Sequence, residues 1–271
     1  MSVKTLLLLL VMVVAAVARA ADNGAQTSLD RIIAAPHRSA EARARDVYRH
    51  PRETLLFFGL RPDMHVVEVW PGSGWYTEIL APYLRTQGKY YAAHYDVGQR
   101  TSSYAGRTRD AFVAKLQARP DLYDRTVVTT ADPPAHVSLA PDGSVDLVLT
   151  FRNVHNWIGE GRDRAMFDAF YRVLKRGGAL GVVDHRAKPG ATLAEMRKSG
   201  YVTEDYVIQL AHNAGFRRYV KAEINANARD TKNYPAGVWT LPPTLRLGQQ
   251  DTEKYIEIGE SDRMTLKFFK E

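Results

Sequence analysis

Short apolar runs recur along the chain. Each is closed by a polar or glycine-containing turn, and apolar residues then fall at helical spacing. The runs are His65–Val69, Lys89–His94, Thr126–Thr130, Val145–Phe151 and Ala179–Val183. Runs of this length bounded by turn residues are the pattern of strands buried on both faces. After the first, Trp75, Ile79, Leu80 and Tyr83 share one helical face, and residues 164–175 repeat the pattern through Met166, Phe167, Phe170, Val173 and Leu174. Residues 104–119 and 203–214 also read as helices, the second capped by Thr203 and ended by Gly215. Ahead of the first strand, three helices are predicted: Leu29–Ala35 capped by Ser28, Ser39–Arg49, and one opened by Pro51 and ended by Gly59. Asp22–Thr27 is polar and is expected to be an irregular leader. Strands are also predicted at Arg217–Ile224 and Met264–Lys270, with a Pro- and aromatic-containing cover between them. Alternation of strand and helix on this scale predicts an α/β fold, a mostly parallel sheet with helices on both faces.

The first residues read as an export signal: Lys4, an apolar core Leu6–Val17, and the small-x-small site Ala18-Arg19-Ala20. The core is short for a membrane span and polar sequence follows it. The expected division is therefore residues 1–20 as signal peptide, 21–54 as leader and cap helices, and 55–271 as one domain, with 225–262 an insertion before the last strand. The periplasm is the expected location, with no stable membrane insertion after cleavage. The chain has no cysteine, which excludes disulfides, thiolate metal sites and a cysteine nucleophile. Its formal charge is +7, and loss of Lys4 and Arg19 with the signal leaves +5. The basic residues are scattered among acids, so nucleic acid is not an expected partner and a small-molecule ligand is.

The chain is organised around Glu68-Val69-Trp70-Pro71-Gly72-Ser73-Gly74, where the first strand passes through a glycine turn into a helix. Backbone N–H groups at such a turn face an open crevice and bind anionic or polar ligand groups. This stretch resembles the motif of class I S-adenosylmethionine-dependent methyltransferases, in which an acidic residue precedes a glycine, any residue, and Gly-x-Gly. Glu68, Gly72 and Gly74 match the acid and the last two glycines, while Trp70 stands where the first glycine is usual. Leu174-Lys175-Arg176-Gly177-Gly178 is similar to a second family turn, Leu-Lys-Pro-Gly-Gly. The Pro-Gly-x-Gly-Trp-Tyr-Thr pattern is shared with exported methyltransferase-like proteins of bacteria. The resemblance covers residues 55–270. It implies a Rossmann-like fold with a seven-stranded, mostly parallel sheet, an antiparallel C-terminal strand, and S-adenosylmethionine as cofactor. It also implies roles for residues at the strand ends. Glu68, Gly72 and Gly74 face the cofactor, and Asp96 takes the ribose in place of His94, which occupies the usual acid's position. Asp132 lies on the adenine side or is simply a turn aspartate, and Asn153 sits beside the reactive methyl group. A bulky Trp70 is expected to narrow the space for the methionine part.

Ligands in such folds bind outside the carboxyl ends of the strands. His155, Asp184 and His185 fall on that edge and are the catalytic candidates, since a neutral imidazole at either histidine takes a proton from an acidic O–H or N–H nucleophile near neutral pH. His94, His155, His185 and Asp184 are also ligand types for a divalent ion. No local ligand spacing accompanies them, so no metal site is assigned. Arg45, Asp46, Tyr48, Arg49, His50 and Arg52 either line the crevice or form a solvated helix face. Two functions follow. One is methyl transfer from S-adenosylmethionine to a small molecule or protein. The other is a methyltransferase fold without that cofactor, binding or acting on an envelope small molecule, with a metal as an option.

Overall fold

The computed structural model describes residues 24–96, 98, 103–134 and 136–271. The expected signal peptide lies outside them. Before the sheet come α1 (residues 24–33), α2 (Ala40–Ala44), α3 (Asp46–Arg49) and α4 (Pro51–Phe58). The βα series follows: β1 (His65–Val69), α5 (Thr77–Leu84), β2 (Lys89–His94), α6 (Tyr104–Ala118), α7 (Pro120–Tyr123), β3 (Thr126–Asp132), β4 (His136–Ser138), β5 (Val145–Phe151), α8 (Val154–Glu160), α9 (Asp163–Val173) and β6 (Leu174–His185). The chain ends with α10 (Leu193–Ser199), α11 (Glu204–Ala214), β7 (Arg218–Ala222), α12 (Thr252–Ile258) and β8 (Arg263–Phe269). The strands form one sheet in the order β4-β3-β2-β1-β5-β6-β8-β7. Pairs among β3, β2, β1, β5 and β6 are parallel, while β4 runs antiparallel to β3, and β8 antiparallel to β6 and β7.

The period of two along each strand builds two cores. Val66, Tyr90, Ala92, Leu147 and Leu149 face one side, where Leu29 of α1 and helices α4 to α7 supply Leu55, Phe58, Ile79, Leu80, Phe112 and Tyr123. Val67, Val69, Tyr91, Ala93, Val148 and Val182 face the other, where α8 to α11 supply Trp157, Met166, Phe167, Phe170, Met196 and Leu210. Burial on both faces is why these strands read as continuous apolar runs.

Four local features differ from the sequence expectation. Residues 24–27 lie within α1 rather than in an irregular leader. The expected helix at Ser39–Arg49 is broken at Arg45, which caps α2 and opens α3 and sends its side chain to Glu260. Strand β6 begins at Leu174, earlier than expected, across the Gly177-Gly178 turn. The sheet has an eighth strand, β4. Pro133 and Pro134 lack the N–H groups that would extend β3, and the chain reverses so that Asp132 pairs with His136. Three residues of mixed exposure carry too little pattern to be read as a strand in advance.

The segment 225–262 is held down by buried polar groups. Asp230 accepts hydrogen bonds from the Tyr201 hydroxyl (3.0 Å) and from the Asp262 amide (2.8 Å), and the Asn225 amide donates to Thr54 (3.0 Å) and Thr265 (2.9 Å). Satisfied buried groups of this kind fix a long connection in one conformation. They bring Trp239 and Arg246 over the carboxyl ends of the parallel strands. Among the described residues, no helix is long and apolar enough to cross a membrane.

Candidate functional site

A cleft of about 940 Å³ opens at the carboxyl edge of the sheet. Its floor is the turn after β1, its sides are the ends of β2, β3 and β5, and Arg45, Arg49, Trp239 and Arg246 stand over it. A smaller cavity of about 130 Å³ adjoins it, sharing Arg152, His155, Trp239 and Thr244 and reaching His185.

The glycine turn has the conformation that its sequence demands. Gly72 has a φ of 59°, and a Cβ built on it meets no atom within 4 Å, so its bare backbone faces the open cleft. Gly74 closes the turn through its N–H to the Pro71 carbonyl (3.0 Å) and packs against Phe112. Trp70 itself adopts the left-handed region, with a φ of 49°, where a glycine carries no Cβ penalty. Its side chain compensates by burial. The indole N–H donates to the Ala131 carbonyl (2.7 Å), and the ring packs on Tyr95 and edge-on to Trp157, centroids 4.5 and 5.7 Å away. Only 6% of the residue is exposed. The ring has turned into the core beneath the turn, so the open side of Gly72 is not filled by it.

Glu68 is buried at the end of β1, and its Oε2 accepts hydrogen bonds from Thr77 (3.0 Å) and from the Tyr90 hydroxyl. Burial pushes its carboxyl up to about 7 against the lowering effect of those two donors. His94, fully buried at the end of β2, accepts from the Tyr95 amide at Nδ1 (2.9 Å). Its Nε2–H therefore donates to the Gly72 carbonyl (3.2 Å), which pins the turn. Burial pushes its pKa down to about 4, so the ring is neutral. His94 thus braces the floor from within. Asp96 lines the cleft and also accepts from the Gly98 amide (3.1 Å) and from His136. Asp132 lines the β3 side, paired with Arg162. The Asn153 amide ties β5 to β1 by donating to the Val69 carbonyl (2.9 Å) and to Thr150 (3.2 Å).

His155, in the first turn of α8, lies against the end of β6. Asp184 Oδ1 accepts from His155 Nδ1 (2.9 Å) and from the His185 amide (2.7 Å), and its Oδ2 from the His155 amide (3.2 Å). A carboxylate only accepts, so His155 carries its proton on Nδ1 and its lone pair on Nε2. The His185 ring lies nearby at a tilt of 53°, ring centroids 5.0 Å apart, with its Nδ1 on the Ser261 hydroxyl. Burial, then the neighbouring His155 and the Arg263, Arg152 and Arg49 guanidiniums, pushes its pKa well below the ordinary value. Of the two candidate bases, only His155 lines the main cleft. Among the described residues, His155, Asp184 and His185 bring ligand atoms within 4.8 Å of one another, and His94 is not in that group. Asp184 is already committed to three N–H donors, and the nearby guanidiniums oppose a dication.

Two of those guanidiniums, Arg152 and Arg263, were not among the candidates drawn from the sequence. Glu260, 3% exposed, accepts from Arg45 and Arg263, with Arg49 Nε at 4.0 Å. Arg152 follows β5 with a φ of 61°. It immediately precedes Asn153 and was open to the same strand-end argument. Arg246 and Glu260 reach the site through long-range folding of the tail and left no local signal. Arg45 and Arg49 prove to line the crevice, one of the two placements open from sequence.

No protein-family model matches the chain, and no curated protein matches it in sequence. Solved structures do resemble it. A SAM-dependent methyltransferase from Aquifex aeolicus aligns at a TM-score of 0.51 with 21% identity, over 66% of this chain and 87% of that one. A putative sarcosine dimethylglycine methyltransferase from Galdieria sulphuraria aligns at 0.53 with 13% identity, over 83% and 84%. Phosphoethanolamine N-methyltransferase 2 from Haemonchus contortus aligns at 0.53 with 13% identity, over 82% of this chain but 52% of that one. The cyclase SpnF aligns at 0.52 with 16% identity, over 82% and 80%. The fold is therefore the Rossmann-like one of S-adenosylmethionine-dependent methyltransferases.

Proposed function

We propose that this chain is an S-adenosylmethionine-dependent methyltransferase in which His155, held by Asp184, takes a proton from the acceptor. The observation that carries the reading is the placement of that histidine–carboxylate pair in one cleft with the open backbone of Gly72. The residues fit the cofactor. A Cβ at Gly72 would project into open space that the largely buried Trp70 ring, at the cleft wall, does not fill, and Asp96 offers a carboxylate on the β2 side. Glu68, Gly72, Asp96, Asp132 and Asn153 would hold it, with His94 fixing the turn from below. When bound, S-adenosylmethionine supplies an electrophilic methyl group. His155 Nε2 accepts the proton of an O–H or N–H acceptor as that atom becomes a nucleophile, and Asp184 stabilises the imidazolium that forms.

The acceptor class is open in this reading, and export to the periplasm is part of it. The test is transfer of label from methyl-labelled S-adenosylmethionine to an envelope extract. Wild type should label an acceptor, and His155→Ala should lose roughly a hundredfold or more of that rate, as for loss of a general base, while still binding the cofactor. Equal rates from both proteins would remove His155 from the mechanism. The cofactor-free reading has one observation in its favour: His94 is turned inward, so the end of β2 presents no carboxylate at the usual position.

A further inference from the structure

Three arginines in the cleft are unusual in what they lack. Arg49 is 5% exposed and Arg152 is partly buried, while Arg246 leans on the cover. Among the described residues, none of these three guanidiniums makes a hydrogen bond to protein, and Arg49 Nε is buried without a hydrogen-bond partner. Arg49 lies over the Trp75 ring at 4.4 Å and Arg246 over the Trp239 ring at 4.6 Å. These rings orient the guanidinium planes and leave their edges free, the usual geometry of an arginine presented to a planar or tetrahedral oxyanion. The charge balance points the same way. Arg45, Arg49, Arg152 and Arg263 gather around Glu260, and the only other carboxylate acting on Arg152 is Asp184, already engaged by three N–H donors. Burial and mutual repulsion push the Arg49 pKa well below its ordinary value and the Arg152 pKa down to about 10, the signature of cations lacking counter-charge. Buried charged donors are ordinarily paired, and leaving them unpaired is costly.

We infer that this cluster is the binding site for an oxyanion, a carboxylate or phosphate carried by the acceptor molecule, gripped by Arg49 and Arg152 beside His155. The position follows from Arg152, which lines both the main cleft and the small cavity that reaches His185. That is the side of the cleft where the His155–Asp184 pair lies. This assignment rests on the methyltransferase reading for the word acceptor, but the anion site stands on its own geometry.

The experiment is calorimetric titration, at constant ionic strength, of the protein saturated with S-adenosylhomocysteine, using inorganic phosphate and succinate as probes. At least one probe should bind, and which one binds tells phosphate from carboxylate. Arg49→Met and Arg152→Met should each weaken that binding roughly tenfold or more, the size of one lost charge-assisted hydrogen bond. The same variants should unfold at no lower denaturant concentration than wild type, because removing a crowded cation relieves repulsion. A purely structural role for Arg49 as the partner of Glu260 would instead lower the midpoint. Arg152→Gln, which keeps a polar end at a partly buried position, keeps the test alive if either methionine variant misfolds. Three results would overturn the inference: neither probe binds, the variants bind equally, or the probes compete with S-adenosylhomocysteine. The last would assign the arginines to the cofactor's own carboxylate. Probe binding without any binding of S-adenosylhomocysteine would leave the anion site standing and remove the transferase reading instead.

Discussion

Replacing Glu68 by Gln removes one ionisable group while keeping its volume and an oxygen to accept from Tyr90 and Thr77. In the folded protein the Glu68 carboxyl titrates at about 7, whereas in the unfolded chain it titrates at its ordinary 4.5. Between those values the unfolded chain has released a proton that the native state still holds. Native stability therefore falls as pH rises through this window and levels off above it. One proton of difference over one pH unit is worth about 1.36 kcal/mol. Integrated from about pH 5 to about pH 8, the loss is about 2.5 kcal/mol. His94 and His185 act in the opposite sense, since their lowered values make stability rise with pH below the ordinary histidine range. They are common to both proteins and cancel in the comparison. The assay is urea unfolding of wild type and Glu68→Gln across that pH range. The stability of the variant relative to wild type should climb by about 2.5 kcal/mol from the acid to the alkaline end. Parallel profiles would show that Glu68 is ionised normally, and the account of a dry carboxyl beneath the glycine turn would fail.

Two further outcomes follow from the same architecture. Trp70→Ala deletes a buried indole and removes its hydrogen bond to the Ala131 carbonyl, so it should cost about 3–5 kcal/mol in urea unfolding; a loss under about 1 kcal/mol would mean that the ring is not a core element. Export predicts a mature chain beginning at Ala21, read by N-terminal sequencing of protein recovered from the periplasm, and recovery of the uncleaved chain in the cytoplasm would contradict it.

Much of this molecule was legible before its structure. The run opening at His65 became β1, and Val145–Phe151 became a strand with its expected bounds, because burial on both faces leaves an unambiguous pattern. The turn at Gly72 and Gly74 was readable because the chain there needs left-handed backbone. The pairing of His155 with Asp184 was not readable. Both residues were picked from strand ends, but their contact depends on how α8 starts after β5 and on the parallel register of β5 with β6. His94 was read by its position relative to a family's acid, and only the fold shows its ring turned under Gly72. Trp70 was read only as a bulky ring at a glycine position; that its indole finds a carbonyl partner 61 residues away, at the wall of the cleft, depends on the fold. The arginine cluster draws on residues more than two hundred positions apart, Arg45 with Glu260 among them, and no local spacing encodes such a meeting.

The central claim is that the open turn at Gly72 holds S-adenosylmethionine. Its most direct test is calorimetric titration of the purified, folded protein with S-adenosylmethionine and with S-adenosylhomocysteine, beside Gly72→Val. Wild type should bind at least one of them with a dissociation constant on the order of micromolar, worth about 8 kcal/mol. The variant, whose side chain projects into the cleft, should lose that binding, with its urea unfolding read beside it because a β-branched residue strains a φ of 59°. No binding to the folded wild type at millimolar ligand, or equal binding by the variant, would contradict the claim.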